Sequence, residues 1–306
     1  MNEAEDASPA SQCGFVALIG APNAGKSTLL NMLVGSKVAI VSHKVQTTRA
    51  RIRGIGLEGS TQIVFVDTPG IFKPARRLDK AMVQAAWSGA EDADKIVLLV
   101  DAARGRDEDL ERILSGLRTS GRKVVLALNK IDTLEPEKLL ALTADLSQTD
   151  LFEKVFMISA LKGDGVADLK SYLAGEMPPG PWLYPEDQVA DMPMRLLASE
   201  ITREKIYQRL HQELPYAVTV ETDDWQERKD GSVRVEQVIY VQRESQRKIV
   251  LGKGGQTIKE IGRLSREELG DLLERKVHLF LFVKVRAKWA DERERYERMG
   301  LDFPDA

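Results

Sequence analysis

Gly20-Ala-Pro-Asn-Ala-Gly-Lys-Ser27 is the stretch of sequence that decides the fold. It matches the pattern G-x-x-x-x-G-K-S/T and directly follows an apolar run at 15–19. A strand that runs into such a glycine-rich turn and then into a helix is typical of a phosphate-binding loop, because successive backbone N–H groups can point inward at phosphate oxygens. The stretch therefore predicts a domain that binds a nucleoside triphosphate.

The residues of this loop have distinct expected roles. Lys26 would reach the β- and γ-phosphates, and the Ser27 hydroxyl would hold Mg²⁺. The expected nucleotide contacts run through the whole loop and into the helix: Gly20, Ala21, Pro22, Asn23, Ala24, Gly25, Lys26, Ser27 and Thr28. A glycine turn that merely joins a strand to a helix is the alternative, but the flanking sequence favours phosphate binding.

A second apolar run, at 123–128, ends in Asn129-Lys-Ile-Asp132 and indicates which base is bound. The carboxylate of Asp132 can accept hydrogen bonds from the N1–H and the exocyclic amine of guanine, and adenine lacks that pair of donors. A site built on such bonds rejects a base that leaves its polar groups unpaired. We expect Asn129 to brace the phosphate loop and the stem of Lys130 to lie over the base. Alone, this pattern is usually a strand-end turn, but its distance behind the phosphate loop favours a guanine site.

Two more strand ends complete the expected nucleotide contacts. The run at 62–66 ends in Asp67-Thr-Pro-Gly70, where Asp67 is expected to contact Mg²⁺ through water and the Gly70 N–H to meet the γ-phosphate. The run at 154–158 leads to Ser159, Ala160 and Leu161, whose backbone can contact guanine O6. Each motif taken singly could be a turn, but their order along the chain favours a nucleotide site.

The polar stretch Gln46-Thr-Thr-Arg49 lies between the phosphate loop and Asp67. A threonine hydroxyl here would complete the Mg²⁺ shell when GTP is present; Thr48 is favoured and Thr47 is the alternative. The expected metal contacts are therefore Ser27, Thr48 and Asp67, and the expected catalytic residues are Lys26, Thr48 and Gly70. Together the five motifs resemble those of the translation-factor-related GTPases.

The composition narrows the class of protein. At 306 residues the chain is long enough for two domains with separate cores. A single cysteine, Cys13, excludes a disulfide scaffold and fits a reducing compartment. No apolar run reaches membrane-spanning length, and residues 1–12 lack the basic start and apolar core of a signal peptide. With a net charge of −3, any contact with nucleic acid must come from a local basic patch.

Alternating strand and helix patterns predict an α/β first half, a P-loop GTPase domain with a mostly parallel sheet covered on both faces. Its strand candidates lie at 15–19, 62–66, 95–101, 123–128 and 154–158. The cluster Pro178-Pro-Gly-Pro181 breaks the helical pattern and predicts a linker. The predicted divisions are a disordered tail at 1–13, the GTPase domain at 14–174, the linker at 175–192, a second domain at 193–300 and a tail at 301–306.

The second domain is predicted as helix, strand, strand, helix, helix, strand, with its first helix at 194–214 and a break near Gly270 in a helix at 256–273. The turn Gly252-Lys-Gly-Gly255 fits G-x-x-G and precedes that helix. This order resembles an α+β type II KH domain, whose loop presses backbone N–H groups against nucleic-acid phosphates beside an apolar groove. A glycine-rich helix start is the alternative. The expected RNA contacts are Arg247, Lys248, Gly252, Lys253, Gly254, Gly255 and Lys259.

The two halves in this order resemble the Era family of bacterial ribosome-assembly GTPases, from about Gly14 to Met299. The segment 73–94 is also similar. The Der family has a KH-like end too, but its members need two GTPase modules and this chain has one. The resemblance implies binding of the 3′ end of small-subunit ribosomal RNA and a late role in assembly of the small ribosomal subunit. It also implies a cytoplasmic protein whose contact with the inner face of the cell membrane is peripheral; we expect a monomer.

Two positions bear on the rate of hydrolysis. Ile71 stands where Ras-type GTPases have a water-positioning glutamine, and an aliphatic side chain cannot orient water, so slow intrinsic hydrolysis is predicted. Asn23 suggests a K⁺ ion beside the phosphates, as in related GTPases; the alternative is that Asn23 only caps the turn. Arg49 and Arg51 fall in a predicted mobile loop at 45–53, where a solvated or RNA-facing role is favoured over catalysis.

GTP is expected to order the loop at 45–53 and the segment after Asp67, and hydrolysis to release them. RNA affinity should then differ between the GTP and GDP states. Two other classes stay open: a signalling GTPase whose C-terminal domain binds a protein, and a non-catalytic scaffold that senses GTP against GDP. Failure to bind any RNA would favour the first, and growth supported by Lys26→Ala would favour the second.

Overall fold

The apolar runs of the first half form one seven-stranded sheet within the part of the chain that the structure describes. Its strands are β1 (Gln12–Gly20), β2 (Ile52–Glu58), β3 (Thr61–Asp67), β4 (Lys95–Asp101), β5 (Val124–Asn129), β6 (Phe152–Ile158) and β7 (Ala190–Asp191). Their order is β6-β5-β4-β1-β3-β2-β7, and neighbouring strands are parallel except at β2, which is antiparallel to both of its neighbours. The predicted mostly parallel sheet is therefore confirmed.

This computed structural model describes residues 11–42, 44, 46–210 and 214–304. They divide into two units, and the first unit holds residues 11–39, 48–191 and 300–304. The second unit holds the described residues of 40–47 together with 192–210 and 214–299. Each unit has its own core of buried apolar side chains.

Helices cover both faces of the first unit's sheet, as parallel strands buried on two sides require. They are α1 (Lys26–Val34), α2 (Arg77–Glu91), α3 (Glu108–Ser120), α4 (Pro136–Ser147) and α5 (Val166–Gly175). Local sequence sets their ends. At the start of α3 the Asp107 carboxylate accepts the Leu110 N–H, and Gly121 ends the helix in a left-handed conformation. This covering leaves the C-terminal ends of the strands as the edge where a ligand can bind.

Strand β2 is the long strand of the first unit that the sequence analysis missed. It contains Gly54 and Gly56, and glycine weakens a strand pattern. Packing explains both glycines: a Cβ on Gly54 would lie 2.7 Å from Leu30 Cδ1, and one on Gly56 would lie 2.9 Å from Phe65 Cε2. The predicted mobile loop at 45–53 is also wrong in its last two residues, which pair with β3.

The predicted tail at 1–13 is wrong in its last residues. Gln12 and Cys13 belong to β1, because their N–H groups donate to the carbonyl oxygens of Ser60 and Pro178 at 3.3 and 3.1 Å. Residues 1–10 of the predicted tail lie outside the described residues. Strand β1 therefore begins before the apolar run that marks it in the sequence.

The segment predicted as a linker, 175–192, belongs to the first unit up to residue 191, and its residues 190–191 pair with the edge strand β2. The Gln62 side chain donates to the Tyr184 carbonyl at 2.9 Å and accepts the Leu183 N–H at 2.8 Å. The Trp182 indole donates to a backbone carbonyl at 3.0 Å. These bonds hold the segment in place although its prolines prevent a helix.

The predicted tail at 301–306 is also packed where the structure describes it. Residues 301–304 belong to the first unit, and Leu301 is buried there. The Arg77 guanidinium lies over the Phe303 ring, 4.9 Å from its centroid. Residues 305–306 lie outside the described residues.

The second unit has the predicted order of elements. They are α6 (Met194–Arg209), β8 (Val218–Glu227), β9 (Val233–Val241), α7 (Glu244–Leu251), α8 (Gln256–Leu273), β10 (Val277–Val285) and α9 (Arg293–Arg298). Strand β9 lies at the centre, antiparallel to β8 and parallel to β10. Apolar residues of α6 and α8, among them Ile206 and Ile261, pack on this sheet. The predicted α+β KH fold is confirmed by this arrangement.

Two helix predictions in the second unit are wrong in detail. The helix predicted at 194–214 ends at Arg209, and residues 211–213 lie outside the described residues. Helix α8 continues through Gly270, because the buried Leu269 anchors this turn in the core and outweighs the weak helix propensity of one glycine. Among the helices that the structure describes, none combines the length and apolar character needed to cross a bilayer.

Candidate nucleotide site and nucleic-acid loop

The phosphate loop joins the C-terminal end of β1 to the first residue of α1. Helix α1 begins after Gly25, which is left-handed and provides no side-chain cap, so the first N–H groups of the helix can face an anion. Glycine is required at both ends of the loop. A Cβ on Gly20 would lie 2.5 Å from the Leu99 carbonyl oxygen, and one on Gly25 would lie 2.2 Å from Asn129 Nδ2.

The Lys26 ammonium lies within the loop and is almost completely buried. It donates to the carbonyl oxygens of Gly20 and Ala21 at 3.1 and 3.0 Å. Burial lowers the pKa of Lys26 to about 8, and the nearby Asp67 carboxylate opposes this shift only in part. A buried cation held by neutral carbonyls favours an anion beside it, so a phosphate here would raise the pKa of Lys26 again.

Three oxygen-bearing side chains meet beside Lys26. The Ser27 hydroxyl donates to Asp67 Oδ2 at 2.7 Å and lies 2.8 Å from the Thr48 hydroxyl, which donates to the same carboxylate oxygen at 3.1 Å. The other carboxylate oxygen of Asp67 is buried and has no hydrogen-bond partner among the described residues. Burial raises the pKa of Asp67, although Lys26 and both hydroxyls oppose the shift. Hydroxyl and carboxylate oxygens around an unsatisfied buried oxygen fit Mg²⁺, which prefers oxygen ligands.

The structure separates the two adjacent threonines. Thr48 is buried, and its hydroxyl faces Ser27 and Asp67. The Thr47 hydroxyl instead donates to the Lys44 carbonyl at 2.6 Å. Of the two predicted candidates, the structure therefore brings only Thr48 to the cluster of oxygens.

Two arginines that were predicted to be solvated or to face RNA lie in other surroundings. Arg49 is 2% exposed, so the prediction of a solvated side chain is wrong. The Arg51 side chain donates to the Ala85 carbonyl on α2 at 3.1 Å. The Arg51 bond therefore ties the chain before β2 to helix α2.

The segment after β3 lies against the phosphate loop. A Cβ on Gly70 would stand 2.9 Å from the backbone N and Cα of Pro22, so this approach needs glycine. The Ile71 N–H donates to the Gly20 carbonyl at 3.1 Å, and the Ile71 side chain is fully buried in the core. A buried aliphatic side chain has no group with which to orient an attacking water.

Asn129 connects the phosphate end of the site to its base end. Its Nδ2 donates to the Ala24 carbonyl at 2.8 Å, which braces the phosphate loop, and its Oδ1 accepts the Ala160 N–H at 2.9 Å. The Ser159 hydroxyl donates to Asp132 Oδ1 at 2.8 Å. This hydrogen bond lowers the pKa of Asp132, so the carboxylate is ionised at neutral pH and can accept hydrogen bonds from a base.

The backbone at 159–161 offers one open donor to a base. The N–H groups of Ser159 and Ala160 donate to the Asp164 carbonyl and to Asn129 Oδ1. The Leu161 N–H has no hydrogen-bond partner among the residues described, and the Leu161 residue is 76% exposed. Of the three predicted residues, Leu161 is thus the one whose backbone can donate to guanine O6 without losing another bond.

Lys130 makes a contact that the sequence analysis missed. Its backbone is left-handed, with φ of 67°, and its ammonium pairs with Asp101 Oδ2 at 2.6 Å. Asp101 is the last residue of β4, at the same edge of the sheet as the phosphate loop. That place at a strand end was enough to mark it as a candidate site residue.

The second glycine loop joins α7 to α8. Gly252, Gly254 and Gly255 have positive φ angles of 72°, 60° and 76°. A Cβ on Gly252 would stand 2.1 Å from Thr257 Oγ1, whereas nothing lies within 4 Å of a Cβ on Gly254 or Gly255. Helix α8 also begins without a side-chain cap. The tip of the loop therefore has open space and backbone donors beside it, as contact with a phosphate backbone requires.

The charged residues around this loop differ in how their charge is used. Lys248, Lys253 and Lys259 are exposed, and within the described part of the chain they form no ion pair. Arg247 is paired with Glu244 at 2.9 Å on the surface. The loop and the two helices that flank it therefore present three lysines to solvent, while the charge of the arginine is partly offset.

Two family models match separate parts of the chain. A model described as 50S ribosome-binding GTPase matches residues 15–130. All of these residues except 40–47 belong to the first unit. A model of the KH domain matches residues 213–290, which include the loop between α7 and α8.

Curated relatives match nearly the whole chain. GTPase Era of Rhizobium meliloti (strain 1021) is 64% identical over 291 residues, which cover 95% of this chain and 93% of the relative. GTPase Era of Brucella suis biovar 1 (strain 1330) is 62% identical over 291 residues, with 95% and 94% covered.

Solved structures of such relatives have the same fold over both units. Era in complex with MgGDPNP and nucleotides 1506–1542 of 16S ribosomal RNA is 36% identical, with a TM-score of 0.90 over 95% of this chain and 99% of that chain. A variant of Aquifex aeolicus Era bound to GDP and aluminium fluoride is 37% identical, with a TM-score of 0.89 over 94% and 99%.

Proposed function

The chain belongs to the GTPase Era family, and we propose that it binds and hydrolyses GTP during late assembly of the small ribosomal subunit. The proposal includes binding of the 3′ end of small-subunit ribosomal RNA by the second unit, because a solved relative holds nucleotides of 16S ribosomal RNA. It also includes an RNA affinity that depends on whether GTP or GDP is bound.

The observation that carries this proposal is the meeting of Ser27, Thr48 and Asp67 beside the buried Lys26. The three residues come from the start of α1, the segment before β2 and the end of β3. Oxygen atoms from three separate segments fit Mg²⁺ held next to a triphosphate, and a threonine in a segment of its own can sense the γ-phosphate.

The residues of the chain would act in hydrolysis by neutralising and positioning the phosphates. Lys26 and the N–H groups at the start of α1 would donate to phosphate oxygens as negative charge grows on them, and the Gly70 N–H would donate to the γ-phosphate. Ser27, Thr48 and Asp67 are the residues that would hold Mg²⁺. The ion, when bound, supplies further positive charge to the phosphates.

Guanine would be recognised at the opposite end of the site. The ionised Asp132, held by Ser159, can accept from the guanine N1–H and amine, and the Leu161 N–H can donate to O6. Adenine offers neither the N1–H nor the O6, so it would leave these groups unpaired.

Hydrolysis by the isolated protein should be slow, since Ile71 is buried and apolar. A K⁺ ion beside Asn23, which has a left-handed backbone in the phosphate loop, is the proposed aid to hydrolysis. Single-turnover rates in potassium and sodium salts of equal concentration test this. A faster rate in potassium supports the ion, and equal rates contradict it.

RNA binding is assigned to the loop between α7 and α8 with its exposed lysines. The test is crosslinking of RNA in cells to the full-length protein and to Gly254→Asp, which places a carboxylate where phosphates would lie. Gly231→Asp is the matched control, because Gly231 is another left-handed glycine with open space, in the turn between β8 and β9.

Enrichment of the 3′ end of small-subunit ribosomal RNA is expected for the wild type and for Gly231→Asp, and its loss is expected for Gly254→Asp. If no RNA is enriched, the protein would instead be a signalling GTPase whose second unit binds a protein. Enrichment that survives Gly254→Asp would contradict the assignment of RNA binding to this loop.

The family resemblance also supports a monomer in the cytoplasm, with peripheral contact at the inner face of the cell membrane. Fractionation of cells is expected to recover most of the protein in the soluble fraction, and a salt wash should release the remainder from membranes. A membrane-bound fraction that only detergent releases would contradict this placement.

A further inference from the structure

Asp101, the last residue of β4, lies beside the motif at 129–132 that is expected to bind guanine. Strands β4 and β5 are parallel, and Asp101 is the register partner of Asn129, the first residue of that motif. The Ala102 N–H donates to the Asn129 carbonyl at 2.9 Å, so the two segments stay side by side as they leave the sheet. Asp101 is therefore at the edge of the sheet where a base would be bound.

The carboxylate of Asp101 is held at both of its oxygens. Oδ1 accepts the Ala103 N–H at 3.0 Å in a local turn, and Oδ2 accepts the Lys130 ammonium at 2.6 Å. The Asp101 side chain is only 11% exposed. Its backbone carbonyl accepts the N–H groups of Arg104 and Gly105, both at 3.1 Å. The carboxylate is thus a fixed partner for the ammonium, unlike that of a surface aspartate that is free to rotate.

The backbone of Lys130 is also fixed. Its φ of 67° is left-handed, which is uncommon for a residue with a side chain. The Thr133 N–H and hydroxyl both donate to the Lys130 carbonyl, at 3.0 and 2.7 Å. The ion pair with Asp101 fixes the opposite end of the residue, the ammonium. With both ends held, the flexible four-carbon stem between them has fewer rotamers available.

A lysine stem that is held in place can bind a base more tightly than a free one. The Lys130 side chain is 35% exposed, so part of it is open to a ligand, and its methylene groups can pack on a flat ring. A free lysine would lose rotamer freedom when the base binds, and that loss weakens binding. Because the ion pair with Asp101 orders the stem beforehand, it should strengthen nucleotide binding.

We propose that Asp101 is a positioning residue for the guanine nucleotide: it anchors the Lys130 ammonium so that the Lys130 stem stays where the base binds. This inference rests on the proposed binding of guanine nucleotides, with the stem over the base. Asp101 acts through Lys130, and both residues belong to the first unit. Because GTP and GDP carry the same base, the ion pair should raise the affinity for both equally and leave the hydrolysis step unchanged.

The test uses the full-length protein and Asp101→Asn. Asparagine keeps an oxygen that can accept the Ala103 N–H but loses the negative charge that holds Lys130. Affinities for GDP and for a non-hydrolysable GTP analogue should both fall about tenfold, as the loss of a charged hydrogen bond would cause. The single-turnover rate at saturating GTP should stay within about twofold of the wild type. A rate that falls as much as the affinities would overturn the inference, since a base contact affects binding alone.

The matched control is an ion pair at the opposite end of the same strand. Lys95, the first residue of β4, pairs with Glu153 at 2.9 Å, and both side chains are partly buried. Glu153→Gln removes this pair far from the C-terminal ends of the strands, where the nucleotide is expected. It should bind GDP and the GTP analogue as the wild type does. A loss equal to that of Asp101→Asn would mean that either ion pair acts only through the stability of the sheet, and would overturn the inference.

Lys130→Met tests whether Asp101 acts through Lys130. Methionine keeps an unbranched apolar stem but has no charge for Asp101 to anchor. In the Lys130→Met protein, Asp101→Asn should therefore lower the affinity for GDP no further, within about twofold. Losses that multiply in the double variant would overturn the inference, because Asp101 would then act by another route.

Asp101→Ser covers the case in which Asp101→Asn fails to fold, as judged by circular dichroism. The serine hydroxyl can also accept the Ala103 N–H and carries no charge, so the same loss of affinity is expected. A folded variant of either kind with the wild-type affinity for GDP would overturn the inference alone. A wild type that binds neither GDP nor the GTP analogue would overturn the proposed function as well, and that result is read before any variant is compared.

Discussion

Two glycine loops in this chain share one backbone feature, but one loop is enclosed and the other is open. Each places a left-handed glycine, Gly25 or Gly255, at the start of a helix that lacks a side-chain cap. The phosphate loop is enclosed, since a Cβ on Gly25 would strike Asn129 at 2.2 Å. The loop before α8 is open, since nothing lies within 4 Å of a Cβ on Gly254.

The difference explains what each loop can bind. The phosphate loop is braced by Asn129 and holds a buried ammonium, so it suits a compact, highly charged group that fills it. The loop before α8 has exposed lysines and free space, so it suits a polymer backbone that passes over it. Substitutions in the first loop should therefore cause large, all-or-none losses, and those in the second should cause graded ones.

Loss of the buried ammonium should have the largest effect. Lys26→Ala removes the positive charge that meets the phosphates in a site closed to water, so GTP hydrolysis should fall by about 1,000-fold. Single-turnover kinetics with saturating nucleotide measure this. RNA affinity without nucleotide should stay near that of the wild type. Lys138→Ala, at an exposed lysine of α4, serves as the control. A loss of less than tenfold would contradict the reading of this loop as catalytic.

Substitution of Asp132, at the base end of the nucleotide site, should change which base the site prefers. Asp132→Asn replaces an acceptor by an amide that can donate to the 2-oxygen of xanthine, so GTP affinity should drop about 100-fold while affinity for xanthosine triphosphate rises. Titration with both nucleotides measures the exchange. Asp150→Asn, at an exposed carboxylate, should change neither affinity. Equal losses for both nucleotides would mean that Asp132 supports the fold rather than reads the base.

Burial of the Lys26 ammonium in the enclosed loop should make both stability and GTP affinity depend on pH. Burial lowers the pKa of Lys26 to about 8, against 10.5 for an exposed lysine. Between pH 8 and pH 10.5 the Lys26 side chain binds more protons in the unfolded chain than in the folded protein. The contribution of Lys26 to the free energy of unfolding therefore rises with pH over this range. GTP prefers the charged form, and its affinity should therefore fall severalfold as the pH rises past about 8.

Calorimetry in buffers of different ionisation enthalpy measures the linked proton. Uptake of a proton on GTP binding near pH 8 is the expected result, because phosphates raise the pKa of Lys26. An affinity that stays level through this window, with no proton taken up, would show that Lys26 is already fully charged without nucleotide.

The smallest effect is expected at the open loop. Lys253→Ala removes one exposed charge, so RNA affinity should fall about threefold and the slope of log affinity against log salt should lose about 0.7. Lys229→Ala, at an exposed lysine in the turn between β8 and β9, is the matched control. A slope that is unchanged by Lys253→Ala would place the RNA phosphates elsewhere.

The enclosed loop could be predicted from the sequence because the positions of its residues depend on local sequence pattern. The order of strand, glycine turn and helix determines where Lys26 and Ser27 lie, and parallel strands bring Asp67 and Asn129 to the same edge. The bond from Asn129 to the Ala24 carbonyl follows from that topology. Local pattern and sheet direction were sufficient to bring these residues together.

What the sequence could not predict depends on backbone groups and on space. Strand β2 was missed because Gly54 and Gly56 carry no strand pattern and are needed only to admit neighbouring side chains. The hydrogen bonds that Arg203 donates were missed because their acceptors are the backbone carbonyls of Gln46 and Thr47. Every residue has a carbonyl, so such a contact leaves no pattern of side chains to detect.

We propose that the nucleotide bound in the enclosed loop sets the affinity of the open loop for RNA. The direct measurement is the equilibrium affinity of the full-length protein for an RNA of the 3′ end of small-subunit ribosomal RNA, once with a non-hydrolysable GTP analogue and Mg²⁺ and once with GDP. We predict affinities that differ at least about fivefold, the lower end for coupled binding sites. Equal affinities in the two states would contradict the claim and leave two independent sites on one chain.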